Sequence, residues 1–189
     1  MTNVTIFGSG NMGSAIASVL TAGGASVEHI GSKGGTVTGD VVVLAVPYPA
    51  LDAIVASHGD QLAGKVVVDI TNPLDFSTFD SLVVADGSSA TAELADKLPS
   101  SSVLKAFNTT FAATLATKKV GEVDTTVLIA GDDAAAKETL AGLITAGGVQ
   151  AIDAGSLQRA HELEALGFLQ LTLAAGEKIG WTGGFGIVR

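Results

Sequence analysis

Short apolar, β-branched runs alternate with stretches of helical periodicity along most of the chain. Runs at Val4–Phe7, Ser26–Ile30, Val41–Val46, Lys65–Ile70, Val103–Phe107, Thr126–Ala130 and Gln150–Asp153 read as strands. VVVLAV and KVVVDI are nearly continuous in apolar residues, as strands covered on both faces of a parallel sheet are. Helical patterns begin near Asn11, Tyr48, Ser89, Phe111, Asp133 and Leu157. In the first of these, Met12, Ile16, Val19 and Leu20 fall on one stripe. Strand alternating with helix in this order predicts an α/β fold, a doubly wound and mostly parallel sheet.

One interval breaks the rhythm. Ten residues, rich in glycine and threonine, separate Ile30 from Val41. A crossover that contains a helix needs at least about 10–12 residues and usually more. Ten extended residues reach about 33 Å, enough to travel roughly 20 Å back along the sheet and about 10 Å across it without a helix. The second helix is therefore expected to be missing, with the third strand reduced to a stub around Thr36–Val37.

The first strand runs into VTIFGSGNMGSAIA, which sets Gly8, Gly10 and Gly13 between a strand and an amphipathic helix. In that context G-x-G-x-x-G is a dinucleotide fingerprint. Gly8 allows the tight turn, Gly10 lets backbone approach a pyrophosphate, and Gly13 lets helix and strand pack closely. The amides of Ser9, Gly10, Asn11 and Met12 then face the anion at the helix N-terminus. A site for NAD carries a carboxylate at the end of the second strand, to accept hydrogen bonds from the ribose 2′-hydroxyl. Here the chain reads Gly31, Ser32, Lys33 instead. A hydroxyl donor and a cation suit a 2′-phosphate, which a carboxylate would repel. Such a contact is worth about 1.5–3 kcal/mol. The stretch asks for NADP(H), with the adenine held by the loop around Ser32–Thr36 and partly open to water.

Ligands of doubly wound sheets lie across the C-terminal strand ends. At those ends stand Val46, Pro47 and Tyr48, then Asn72 and Pro73, then Asn108, Thr109 and Thr110. Their amides and hydroxyls suit a nicotinamide carboxamide and a ribose; the alternative for Asn, Pro and Thr there is turn and N-cap chemistry. His29, His58 and His161 read as structural. No metal-ligand cluster and no nucleophile–base pair stands out, and no catalytic side chain is assigned. That fits hydride transfer, in which the positioning of two rings matters more than a protein acid.

Composition narrows the partners. The 189 residues carry a net charge of −9, with 47% apolar and 15% charged residues. A dense core is available, while nucleic acid and anionic membrane surfaces, which need a basic footprint, are excluded as partners. There is no cysteine, no signal peptide and no apolar run of membrane-spanning length, so a cytoplasmic protein is expected. Residues 1–155 are expected to form the dinucleotide-binding domain, and 156–189 a helix and tail packed on it in the same unit. From Leu163 to Ala175 that helix is apolar almost all round. Its second apolar face asks for a partner, most simply a two-fold homodimer that approaches closely at Gly167; the alternative is a single-subunit core in which the sheet covers one face and the tail folds over the other. The glycine-rich tail around Trp181 and Phe185 is then expected near the nicotinamide.

Taken together, FGSGNMG, GSK, AVPY, KAFNT, DAGSL and the closing GFGIVR resemble the NADP-dependent oxidoreductases typified by the reductases of the deazaflavin coenzyme F420. The resemblance implies a Rossmann-like domain holding NADP(H) through Gly8–Gly13, Ser32, Lys33, Pro47–Tyr48 and Asn108–Thr109, with its nicotinamide facing a small acceptor. The acceptor is expected to be a flavin or a deazaflavin. A reductase of a small imine or carbonyl compound, or a non-catalytic NADPH sensor, are the alternatives. The family is also similar to the cytoplasmic domains of certain membrane metalloreductases.

Overall fold

The computed structural model describes residues 1–188. Arg189, the last residue of the GFGIVR segment, lies outside the described residues. The chain forms β1 (Asn3–Phe7), α1 (Asn11–Ala22), β2 (Ser26–Ile30), β3 (Val41–Leu44), α2 (Leu51–Leu62) and β4 (Val66–Asp69). There follow α3 (Ala90–Lys97), β5 (Ser102–Lys105), α4 (Ala112–Thr117) and the hairpin β6 (Lys119–Val120) and β7 (Val123–Asp124). The last elements are β8 (Thr126–Gly131), α5 (Ala134–Ala146), β9 (Gln150–Gly155) and α6 (Ala160–Ala175). Every strand and helix read from the pattern is present, with boundaries shifted by a few residues.

Among the described residues the main sheet has the order β2-β1-β3-β4-β5-β8-β9. All its pairs are parallel except β5 with β8. This is the doubly wound Rossmann-like architecture, with one reversal that the hydrophobic pattern does not reveal. Two apolar layers cover the sheet. One joins Ile6, Val43, Val68 and Leu104 to α1, α4 and α5; the other joins Val42, Leu44 and Val67 to α2 and α3. Glycines set the helix spacing on the first layer. A Cβ on Gly23 would sit 2.1 Å from the Leu143 carbonyl oxygen, and one on Gly147 would sit 2.2 Å from that of Val19.

No helix lies between Ile30 and Val41, as the reach of ten residues implies. The expected stub at Thr36–Val37 is not a strand: β3 pairs directly with β1, and the loop runs past without joining the sheet. Side chains anchor it instead. Gln61 accepts from the Val37 amide at 2.9 Å, the Thr5 hydroxyl from the Gly39 amide at 2.8 Å, and Lys65 donates to the Gly39 carbonyl at 2.6 Å. Glu28 accepts from Thr5 and from both the amide and hydroxyl of Thr38. The Thr38 hydroxyl contributes most to holding the Glu28 carboxyl below its ordinary range. Val37 is buried among Ile30, Leu44 and Leu62, so its contribution is to the core.

The face that α6 buries is not the one its leucines suggest. Leu163, Glu164, Gly167 and Gln170 point inward, while Leu169 is 49% exposed. Gly167 does not await another subunit. A Cβ there would meet the Asn72 Oδ1 at 2.3 Å and the Asn108 carbonyl oxygen at 2.9 Å of its own chain. Sequence shows that a backbone comes close at such a glycine, but not whose.

Candidate functional site

The glycine turn has the geometry its fingerprint requires. Gly8 has φ of +101°, and a Cβ there would lie 2.2 Å from the Ala45 carbonyl oxygen. A Cβ on Gly13 would lie 2.6 Å from the Gly8 carbonyl oxygen, whereas one on Gly10 would meet nothing within 4 Å. Gly8 and Gly13 thus bring strand and helix together, and Gly10 leaves its approach open. Gly10 caps α1 with no side-chain hydrogen bond, so the first amides of the helix keep their donors for a ligand. A pyrophosphate fits this cradle.

From the glycine turn a cavity of about 590 Å³ extends across the strand ends. Asn11, Met12, Val46, Pro47 and Tyr48 border it, as do Asn72 and Asn108 on its far side. Of the two threonines that follow Asn108, Thr110 borders it and Thr109 does not, and Thr71 borders it in place of Pro73. Pro73 and Thr109 are buried and do not line it. Ser32 and Lys33 lie outside the cavity, exposed on the loop beyond β2. Lys33 has no ion pair among the described residues. Beside it His29, also exposed, holds the Gly8 carbonyl oxygen through Nδ1 at 2.8 Å.

The far end is tightly built. Phe107 leaves β5 with φ of +61°, rare for a bulky side chain, and is fully buried. The amide and hydroxyl of Thr110 both donate to its carbonyl oxygen, which holds the turn. Such strain costs on the order of 1–3 kcal/mol and persists where surrounding structure dictates it. The turn carries Asn108 to Asn72, and the two interlock. Asn72 Nδ2 donates to the Asn108 carbonyl and Asn108 Nδ2 to Asn72 Oδ1, each at 2.9 Å. Asn108 Nδ2 also donates to the Leu163 carbonyl of α6 at 2.8 Å.

Behind this pair lies a buried ionic cluster that the sequence does not advertise. Asp69 and Lys105 end neighbouring strands in register, and Lys105 Nζ lies 2.8 Å from both Asp69 Oδ2 and Glu164 Oε1. Lys105 also donates to the Thr71 carbonyl at 2.7 Å. The Thr91 hydroxyl donates to Asp69 at 2.8 Å, and the Ala90 amide to Glu164 at 2.9 Å. All three charged groups are inaccessible or nearly so. Burial raises the Glu164 carboxyl above its ordinary value, against the lowering pull of Lys105.

Aromatic side chains close the mouth. Trp181 packs on Phe111 with ring centroids 5.1 Å apart, and Phe76 borders the same space. Gln170 ties the tail down, donating to the Thr109 carbonyl at 3.2 Å and accepting from the Phe185 amide at 3.0 Å. Among the described residues, Tyr48 is the one titratable side chain bordering the cavity. Its hydroxyl donates to Glu93 at 2.7 Å. Burial first, then that hydrogen bond, pushes its pKa up to about 12, so it stays a neutral phenol. Neither a group of metal-ligating side chains nor a helix long and apolar enough to cross a membrane occurs among the described residues.

An open glycine cradle, a cavity across the strand ends and a polar floor are the parts of a dinucleotide site. Residues 31–73 match the family model described as NADP oxidoreductase, coenzyme F420-dependent. The chain is 33% identical over 156 residues to the F420-dependent NADP reductase of Methanocaldococcus jannaschii, covering 78% of this chain and 69% of that one. It is 32% identical over 183 residues to metalloreductase STEAP3 of Rattus norvegicus, covering 86% of this chain and 36% of the metalloreductase. The chain therefore spans about a third of that larger protein. A candidate F420-dependent NADP reductase from Arthrobacter sp. FB24 shares the fold along the whole of both chains, with a TM-score of 0.86 at 24% identity. The chain belongs to the family of F420-dependent NADP oxidoreductases.

Proposed function

We propose that this protein transfers a hydride between NADP(H) and a deazaflavin or flavin, with the nicotinamide on the Asn72–Asn108 floor and the acceptor ring under Trp181. One observation carries the reading: a single cavity joins an open glycine cradle to an aromatic mouth, with no acid or base in it other than a neutral tyrosine. Bound there, the dinucleotide supplies the hydride. The chain binds, orients and excludes water, and such positioning is the main demand of hydride transfer. Gly8–Gly13 would hold the pyrophosphate, Ser32 and Lys33 the 2′-phosphate, and Val46, Pro47 and Tyr48 the riboses. Residues 1–155 would serve as the NADP-binding domain and 156–189 as its closing helix and tail. The exposed Leu169 and Phe185 support a homodimer through α6, and the absence of cysteine a cytoplasmic setting.

The test is protein-dependent oxidation of NADPH with deazaflavin, flavin and imine substrates offered in parallel. Turnover with the deazaflavin or flavin is expected. Turnover with the imine alone, or NADPH binding without turnover, would remove the proposed acceptor. Light scattering should show a dimer that Leu169→Glu converts to a monomer; a native monomer at micromolar concentration would refute the dimer.

A further inference from the structure

We infer that Thr71, together with Asn108, reads an amide edge in the cavity, and that this edge is the carboxamide of the nicotinamide. Among the described residues, two buried side-chain polar atoms lack a hydrogen-bond partner: the Thr71 hydroxyl and Asn108 Oδ1. Both residues border the same cavity, and they are 4% and 5% exposed. Buried polar atoms are normally paired, so two orphans at one site call for a shared explanation.

The surroundings fix what each atom can offer. Asn108 Nδ2 spends both hydrogens on Asn72 Oδ1 and the Leu163 carbonyl, which orients the amide and leaves Oδ1 as an acceptor. The backbone of Thr71 is clamped on both sides. Its amide donates to Asp69 Oδ1 at 2.8 Å and its carbonyl accepts from Lys105 at 2.7 Å, while its hydroxyl is left over. A free donor and a free acceptor on two residues that border one cavity complement a group with C=O next to N–H. The pyrimidine edge of a flavin or deazaflavin has the same chemistry. Continuity of the cavity with the glycine cradle favours the nicotinamide carboxamide, whose C=O would take the Thr71 hydrogen and whose NH₂ would donate to Asn108. The buried ions thus act as a mount for Thr71.

This inference rests on the NADP(H) reading above, and its test separates the two. Thr71→Val keeps the shape and removes the hydroxyl. Because the hydroxyl has no partner in the free protein, the variant should melt at the same or a higher temperature than the native chain. It should bind NADPH about threefold to tenfold less tightly, the size of one neutral hydrogen bond, and bind 2′-phospho-ADP-ribose, which lacks the nicotinamide, equally well. The native protein should also prefer NADP⁺ by about threefold to tenfold over its 3-acetylpyridine analogue, in which a methyl replaces the NH₂. A lower melting temperature with both ligands weakened alike would overturn the inference, since the hydroxyl would then serve the fold alone. Unchanged NADPH affinity with a raised acceptor KM would also overturn it, by moving the edge to the acceptor ring. Equal affinity for the acetylpyridine analogue would remove Asn108 from the pair. A native protein that binds neither NADPH nor 2′-phospho-ADP-ribose would instead fail the underlying reading.

Discussion

The two ends of the cleft are built on opposite plans. Beyond β2, ten residues without a helix present Ser32 and Lys33 to water, held by Gln61, Thr5 and Glu28. Toward α6, interlocked asparagines, a strained phenylalanine and a buried lysine with two carboxylates leave almost no freedom. The contrast suits the jobs proposed for the two ends, the 2′-phosphate at Lys33 and the nicotinamide at the asparagines. A phosphate is a large charge felt over several ångströms, so a lysine on a solvated loop can serve it. A ring that must meet another at a fixed angle needs donors that do not move.

The sharpest way to break the contrast is to empty the rigid end. Lys105→Met leaves two buried carboxylates facing each other, and removing one partner of such a cluster costs about 3–5 kcal/mol. Thermal melting at neutral pH should show it, with a smaller loss near pH 5. The sign follows from Glu164, whose carboxyl is raised in the native chain, chiefly by burial. The native state then holds that proton more readily than the unfolded one. This group favours folding most fully below the ordinary carboxyl range, and the contribution fades as pH rises through the raised value. With Lys105 gone, acid should relieve more of the repulsion still. Equal losses at both pH values would contradict this account.

At the open end the expected effect is on ligand rather than fold. Lys33→Ala should weaken NADPH about tenfold, the lower part of the range for a charge-assisted bond because the loop is solvated. NADH binding and the melting temperature should stay unchanged. Equal native affinities for the two coenzymes in titration calorimetry would deny Lys33 its role. Smaller again is the effect of Gln170→Leu, which releases the tail from the Thr109 turn. The acceptor KM should rise severalfold with NADPH affinity held, and the emission of Trp181, the one tryptophan of the chain, should shift to the red. If KM and emission both stay put, the tail has no part in the acceptor site. Least of all, Gln61→Ala should cost about 1 kcal/mol or less, one hydrogen bond to the Val37 amide, read by denaturant unfolding.

The strands and helix starts were legible because buried parallel strands and amphipathic helices write themselves as period and run length. The missing crossover helix was legible through chain reach alone. The glycine turn was legible because Gly8 and Gly13 are demanded by contacts local to one strand–turn–helix unit. The ionic cluster was not. Asp69 closes VVVD, Lys105 closes SVLK and Glu164 sits in HELEAL, and each alone reads as a surface charge. Only the side-by-side pairing of β4 with β5, and the fall of α6 across them, brings the three together. A weak signal did exist, since the runs Lys65–Ile70 and Val103–Phe107, read as strands, each enclose a charge, Asp69 and Lys105, of opposite sign. The inward face of α6 is hidden in the sequence for a related reason. Its leucines dominate any count of apolar positions, while Glu164 and Gln170 are drawn inward by partners far away in sequence.

The bare loop at residues 31–40 has a kinetic consequence. Here a dinucleotide laid along the cleft would have one end facing solvent and held by side chains that re-solvate at once. It can peel away adenine first, without disturbing α6, the tail or the interlocked asparagines. The departure rate would then be set at the loose end, while the rigid end would stay assembled for the next molecule. A cofactor held this way would behave as a co-substrate, exchanged at every turnover, and not as a resident group.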